Sequence, residues 1–483
     1  MNLFYKPVYG VIGDTIPYYY NGRYHIFFLR QYRDQDSHGM GTPWHHVSTA
    51  DFINFTDHGE ALWQEDMDKH DESCATGCVL TDEDGKHHIF YTGINGHFYH
   101  QNKHSQVIMH AVSDDLVNWE KVPGQMWLPD EDVYEKHDWR DPCIFWHPEE
   151  KQYYMLVASR LKDGPKYRRG CTGLMVSKTL TDWVAVEPFY APNRYEGHEC
   201  PDFFKMGDWY YLTFSEYTDR TTTRYVMSKT PTGPWIAPDG NVFDNRAFYA
   251  AKSAGDGKRR FMFGWNPTKY HHRDDGGWRW GGCLTIHEII QNPDGTLRVQ
   301  LPVEIEKAFG TEHNRLPEFG ASTDELRVEA PYEQKILLGE KTCDTYAVRV
   351  TFNVEKEQGS FGLLLKVDDN ADSGYFVKFN IGRKTLQFGR IGGHRHWYLE
   401  QMPELERELD INFSQPINAK VLVDKTAVVV YVNDAVAMSA RAYDNPRGRL
   451  GVFADGTTIR VPTLTFAELA DGVKGKNEKS IKR

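Results

Sequence analysis

Over roughly the first three hundred residues, apolar and polar positions alternate in short runs and never settle into a helical period. A turn followed by an aromatic strand recurs, first as Gly22-Arg23-Tyr24-His25-Ile26-Phe27-Phe28, then as Gly85-Lys86-His87-His88-Ile89-Phe90-Tyr91. Three more copies stand at 153–157, 209–214 and 259–263. Each of the first four is followed by a serine, a short polar turn and an aromatic, at 48–55, 113–119, 177–183 and 228–235. Runs this short, rich in Tyr, Phe, Ile and Val and punctuated by Gly, Asp and Asn, predict antiparallel strands. The copies are roughly 50 to 65 residues apart, long enough for four strands and their loops. Five copies predict five blades, whereas a β-helix or a sandwich array would repeat at a shorter interval.

A fifth unit continues through Gly264-Trp265-Asn266, a glycine- and tryptophan-rich loop at 276–282, and strands at 284–290 and 297–301. Trp278 and Trp280 in that loop are candidates for stacking on a sugar, or for packing the loop down. Beyond it aromatic density falls and mixed charge rises, which reads as a linker. Alternating strands then follow at 347–354, 361–367, 375–380, 386–390, 419–423, 427–432 and 450–453, with Val432-Asn433-Asp434 as a turn. The fold class predicted is all-β: a five-bladed β-propeller over 1–305, a linker at 306–323, a β-sandwich at 324–470 and a disordered basic tail at 471–483.

Three carboxylates share one phase of the repeat. Asp14 precedes Tyr24 by about ten residues, Asp141 precedes Tyr153 by about twelve, and Glu199 precedes Tyr210 by about eleven. Blades stacked around an axis bring such positions together, at one end of a channel lined by the innermost strands. The matching points of the other two units are near Thr76 and Tyr249. Any one of these acids alone reads as a turn former or solvated cap; the shared phase points to a pocket.

Composition narrows the occupant. Aromatics make up 14% of the chain, with 13 Trp and 27 Tyr, which suits strands and also sugar-stacking surfaces. A net charge of −12 argues against nucleic acid or an anionic membrane as partner. The opening residues carry no export-signal pattern and no window is long and apolar enough to span a bilayer. Seven cysteines, an odd number, fit reduced thiols. Cys74, Cys78 and His70 lack a second ligand pair, so neither metal nor cofactor is expected. The expectation is a cytoplasmic protein acting on a small carbohydrate, with self-association left open.

Cleaving a glycosidic bond takes one carboxylic acid to protonate the leaving oxygen and one carboxylate to attack or to activate water. Glu199, with Tyr195, Cys200, Pro201 and Phe203 around it, is expected to be held protonated by partial burial as the general acid. Asp14, hydrogen-bonded by the Thr15 hydroxyl, is expected to stay ionised as nucleophile. Asp141, its pKa pulled down by Arg140, is expected to stay charged and stabilise the transition state. His198 is expected to point away from the pocket. A phosphorylated sugar would call for cations, and Arg30, Arg33, Lys269 and Arg273 are the candidates.

At these residues the chain resembles glycoside hydrolase family 32, the invertases, inulinases and levanases. The resemblance rests on Asp14, then Trp139-Arg140-Asp141-Pro142, then Glu199-Cys200-Pro201-Asp202. Pro43-Trp44-His45-His46-Val47-Ser48, Phe90-Tyr91-Thr92-Gly93, Phe248-Tyr249-Ala250 and Cys283-Leu284-Thr285 support it. It implies a retaining β-fructofuranosidase without metal, acting through Asp14 as nucleophile, Glu199 as acid/base and Asp141 as stabiliser. Substrate binding is then expected from Arg140, Trp44, Thr76, Tyr249, Trp265 and Trp278. The chain departs from the family around the nucleophile, where Trp-Met-Asn-Asp-Pro-Asn-Gly is replaced by Gly10-Val11-Ile12-Gly13-Asp14-Thr15-Ile16-Pro17. The Trp/Phe-Ser pair of the second blade is likewise replaced by Cys74 and Ala75. The departures leave the sugar open: an inverting arabinofuranosidase or xylosidase-like propeller is the alternative enzyme, and a carbohydrate-binding propeller without catalysis the alternative of another class.

Overall fold

The computed structural model describes residues 3–39, 41–317, 325–392 and 403–474. It is built almost wholly of antiparallel strands, in two compact units. One unit comprises Tyr5–Asn266 and Trp280–Leu297; the other comprises Met1–Phe4, Pro267–Arg279 and Arg298–Arg483. The sequence suggested a single boundary near 305. Instead the chain leaves the first unit after Asn266, returns at Trp280 and leaves again at Arg298.

In the first unit the strands form meanders in chain order. The first runs Val11–Tyr20, Arg23–Gln31, Trp44–Thr49, Phe55–Leu62; the second Ser73–Thr81, His87–Ile94, Gln106–Ser113, Glu120–Trp127. The third runs Tyr134–His147, Gln152–Leu161, Gly170–Ser177, Val184–Tyr190, and the fourth Glu199–Met206, Trp209–Glu216, Thr222–Ser228. The last, which opens with Tyr249–Gly255, is hydrogen-bonded to the first through Ile12 and Gly282. The opening strands of the meanders neighbour one another in a closed cycle, as propeller blades do around their axis. One sequence expectation is corrected here. The aromatic repeat is the second strand of each meander, and the acids lie within the first strand, not ahead of it. Second strands are buried on both faces, Ile26–Phe28 being fully so, and therefore carry the stronger apolar signal.

The serine-turn-aromatic motif closes the third strand. Asp115 accepts the backbone N–H groups of Val117 and Asn118, and the indoles of Trp119 and Trp183 each donate to a carbonyl three residues back. Those indoles join the cores packed between successive meanders.

The second unit holds two sheets, of seven and six strands. The seven predicted strands are present, and His313–Asn314, Leu326–Ala330, Gln334–Leu338, Leu405–Glu408, Val436–Arg441 and Thr457–Glu468 complete them. Phe361 stacks on Phe379 at 5.1 Å and meets Phe352 edge-on in its core. Asn433 and Asp434 both take positive φ in a turn that the Ala435 N–H closes onto the Val432 carbonyl. Much of the expected linker is structured: Val303–Glu306 is a helical turn and His313–Asn314 pairs with the last strand. Of the expected tail, Asp471–Lys474 forms a short helix; residues 475–483, like 318–324 of the linker stretch, lie outside the described residues. Among the described residues no helix is long and apolar enough to cross a membrane.

Candidate functional site

Each opening strand carries one extra residue at the same point of its ladder. The register slips between Ile12 and Thr15, Ala75 and Gly77, Arg140 and Cys143, Glu199 and Asp202, and Tyr249 and Lys252. Bulges re-aim the side chains next to them and free backbone groups from the ladder. Asp141, Cys200 and Ala250 sit there at φ of 59°, 49° and 50°, a left-handed conformation that costs a non-glycine residue on the order of 1 kcal/mol or more. Nearby side chains hold it. The Asp141 N–H donates to Thr92 Oγ1 at 2.7 Å, the Cys200 N–H to Asp141 Oδ2 at 2.9 Å, and the Ala251 N–H to Thr223 Oγ1 at 3.3 Å.

These bulges gather the three predicted acids. The buried Cys200 thiol stands 3.7 Å from Oδ2 of both Asp14 and Asp141, joining the first and third meanders through the fourth. Asp14 accepts from Thr76 Oγ1 at 2.6 Å and from Trp265 Nε1 at 3.0 Å. Glu199 accepts from Arg140 Nη2 at 3.0 Å and from the Tyr249 hydroxyl at 2.6 Å. The Glu199 side chain is 26% exposed, against 4% for Asp141.

Three electrostatic expectations are corrected. The Thr15 hydroxyl donates to the Phe263 carbonyl at 2.8 Å, and it is Thr76 that serves Asp14. Burial, followed by the charge of Asp141 and then that of Glu199, raises Asp14 to about 7, against the hydrogen bonds from Thr76 and Trp265. Asp141 is also raised: burial outweighs Arg140, whose guanidinium is 3.8 Å away and is shared with Asp138 and Glu199. The groups that touch the Glu199 carboxylate are Arg140 and Tyr249, in place of the apolar surroundings expected for it.

Arg140, Thr76, Tyr249 and Trp265 thus stand in direct contact with the acids. Trp44 does not: it is fully buried between the first two meanders, its indole donating to the Ala75 carbonyl at 2.9 Å. Trp278 belongs to the other unit, under the Lys269 ammonium at 4.8 Å. His198 is buried against Phe214 at 4.2 Å, as expected of a structural residue, and burial pushes it down to about 3. The cations suggested for a phosphate are engaged elsewhere. Lys269 pairs with Glu404, Arg273 with Asp275 at 2.7 Å, Arg30 donates to the Tyr9 carbonyl, and Arg33 donates to the Trp280 carbonyl.

Behind the acids lies a layer the sequence reading missed. Asp138 bridges Arg140 and Arg160, and Arg160 donates to the Tyr217 hydroxyl at 2.7 Å. Two-residue alternation from Arg140 could have found Asp138, which shares its strand face. Deeper still, the buried Lys252 ammonium donates to the Gly77 carbonyl at 2.9 Å, and Asp202 accepts from the Ser253 backbone and hydroxyl. These are set by the fold and leave no local signal.

The model of the glycosyl hydrolases family 32 N-terminal domain matches residues 9–300. Fructan 1-exohydrolase w2 of Triticum aestivum is 26% identical, over 93% of this chain and 84% of its own length. Raffinose invertase of Escherichia coli is 25% identical, over 89% and 86%. The solved structure of fructan 1-exohydrolase IIa from Cichorium intybus superposes with a TM-score of 0.75 at 18% identity, covering 96% of each chain. The family model spans well over half of the sequence, and the chain is a glycosidase belonging to glycoside hydrolase family 32.

Proposed function

We propose that this enzyme hydrolyses a short β-fructofuranoside, or a closely related furanoside, with retention of anomeric configuration. The observation that carries the reading is the convergence of Asp14 and Asp141 on the Cys200 thiol, with Glu199 as the adjoining residue. Asp14 attacks the anomeric carbon as Glu199 gives its proton to the leaving oxygen. Glu199 then takes a proton from the water that cleaves the glycosyl-Asp14 ester, so both carboxyls end as they began. Asp141, held in place by the Cys200 N–H, accepts hydrogen bonds from the sugar's hydroxyls and offsets the positive charge that develops on the ring. The fructan 1-exohydrolases and the raffinose invertase similar to this chain support a fructosyl glycone. Seven cysteines, six of them buried, suit a reducing compartment, and we place the enzyme in the cytoplasm.

The altered Asp14 neighbourhood removes hydrogen-bond partners from the glycone subsite. Each such loss costs roughly 1 to 3 kcal/mol, so sucrose is expected to be a poor substrate beside some other short fructoside. The test is kcat/KM for sucrose, short β-fructosides and arabinofuranosides, with the first-formed anomer read by NMR. A retained product is expected, and inversion would move the chain to the arabinofuranosidase-like alternative, with Asp14 as base for water.

The raised Asp14 sets the pH dependence. Only its carboxylate attacks, and that form is complete above about 7 and lost below it. The acidic limb of kcat/KM is therefore expected to bend near 7 and then fall about tenfold per pH unit. Thr76→Val removes a hydrogen bond that favours the charged form, so it should move the limb to higher pH. A limb near 4 in both proteins would show that Asp14 is not the group being titrated.

A further inference from the structure

The residue before the nucleophile is glycine for want of space, since its backbone lies outside the left-handed region. A Cβ at position 13 would stand 1.9 Å from Cη2 and 2.4 Å from Cζ2 of Trp280, so that indole fills the space a side chain there would claim. The Trp280 ring lies 5.7 Å from that of Trp265, tilted by 58°, and the Trp265 N–H holds Asp14. Trp265 is 5% exposed, whereas Trp280 is 37% exposed. Trp280 therefore leans on the nucleophile's support with one part of its ring and presents the rest to solvent.

Its backbone is fixed on both sides. The Arg33 guanidinium donates to the Trp280 carbonyl, and Gly281 follows at φ +76°, where a Cβ would meet the Ile12 carbonyl oxygen at 2.9 Å. A large ring on an anchored backbone, beside a buried carboxylate, makes a preorganised apolar platform. The C–H faces of sugar rings are the chemistry such a platform accepts, and an indole offers one N–H donor and no acceptor.

We propose that Trp280 is a specificity-determining residue, forming the wall of the glycone subsite beside Asp14, and that Gly13 and Trp280 are an obligate pair. This rests on the furanosidase reading above. The pair replaces polar contact next to the nucleophile with an apolar face, and selects a furanoside that presents carbon-bound hydrogens, not hydroxyls, on that side.

The test uses the full chain and four variants: Trp280→Ala, Trp280→Phe, Gly13→Ala and the Gly13→Ala/Trp280→Ala double. With the best short fructoside from the panel, Trp280→Ala should raise KM roughly tenfold or more while kcat changes severalfold at most, and Trp280→Phe should recover most of the loss. Gly13→Ala should lower kcat/KM on the order of a hundredfold by displacing the ring, and the double variant should be better than Gly13→Ala alone. Saturating fructose should quench tryptophan fluorescence in the unmodified chain and quench it less in Trp280→Phe. An unchanged KM in Trp280→Ala, or a quench of equal size in Trp280→Phe, overturns the proposal and leaves the furanosidase reading standing. Failure of the unmodified chain to cleave any furanoside overturns that reading instead.

Discussion

Asp14→Ala is expected to abolish hydrolysis of natural and activated glycosides alike, by about 10⁴-fold or more. Both oxygens of Asp14 are committed to donors from separate meanders, Thr76 and Trp265, which hold the carboxylate in one orientation. Truncation leaves those donors facing a small cavity with no carboxylate in it. The variant should nevertheless fold, because it removes a buried carboxyl whose ionisation burial already opposes. Added azide should enter the cavity and attack in its place, restoring part of the rate on activated substrates with an inverted glycosyl azide as product. Activity in Asp14→Ala close to that of the unmodified chain would end the three-carboxylate reading.

Glu199→Gln is expected to separate the two kinds of substrate. The amide cannot protonate a leaving alkoxide, so turnover of sugar-sugar bonds should drop by roughly 10² to 10⁴. Aryl fructosides with good leaving groups need no proton and should still release the aryl alcohol quickly in the first turnover. The amide oxygen can still accept from Arg140 or Tyr249, so the pocket should keep its shape. Equal losses on both substrates would remove Glu199 from the acid role.

How much of this could be seen in the chain depends on which forces act locally. Twin-face burial wrote the second strands plainly, from Ile26–Phe28 to 209–214, whereas a sandwich strand such as Gly374–Asn380 alternates because one face is buried more deeply than the other. The first strands were harder to see because they do two jobs. Asp141-Pro142 and Cys200-Pro201 break the alternation with a bulge, and the broken pattern reads as a loop ahead of a strand. Asp14, Asp141 and Glu199 were legible through the phase those bulges share. Their electrostatics were not, because sequence neighbours stood in for spatial ones: Thr15 turned away toward Phe263 while Thr76, from another meander, took its place. Trp44 misled for a related reason, since an indole in a sugar-binding motif and an indole in a core look identical until burial is known.

The excursion of Pro267–Arg279 into the second unit sets an order of events in time. The Pro267 carbonyl accepts from Arg441, Lys269 pairs with Glu404, and the Asp274 carboxylate accepts from Tyr375 and from the backbone N–H groups of Tyr443 and Asp444. Those partners emerge from the ribosome more than a hundred residues later. Four meanders can close during synthesis from contacts already made, but the segment between Trp265 and Trp280 must wait for nearly the whole chain. A nascent chain stalled between Trp280 and Tyr375 therefore carries its three carboxylates and none of these partners of the segment.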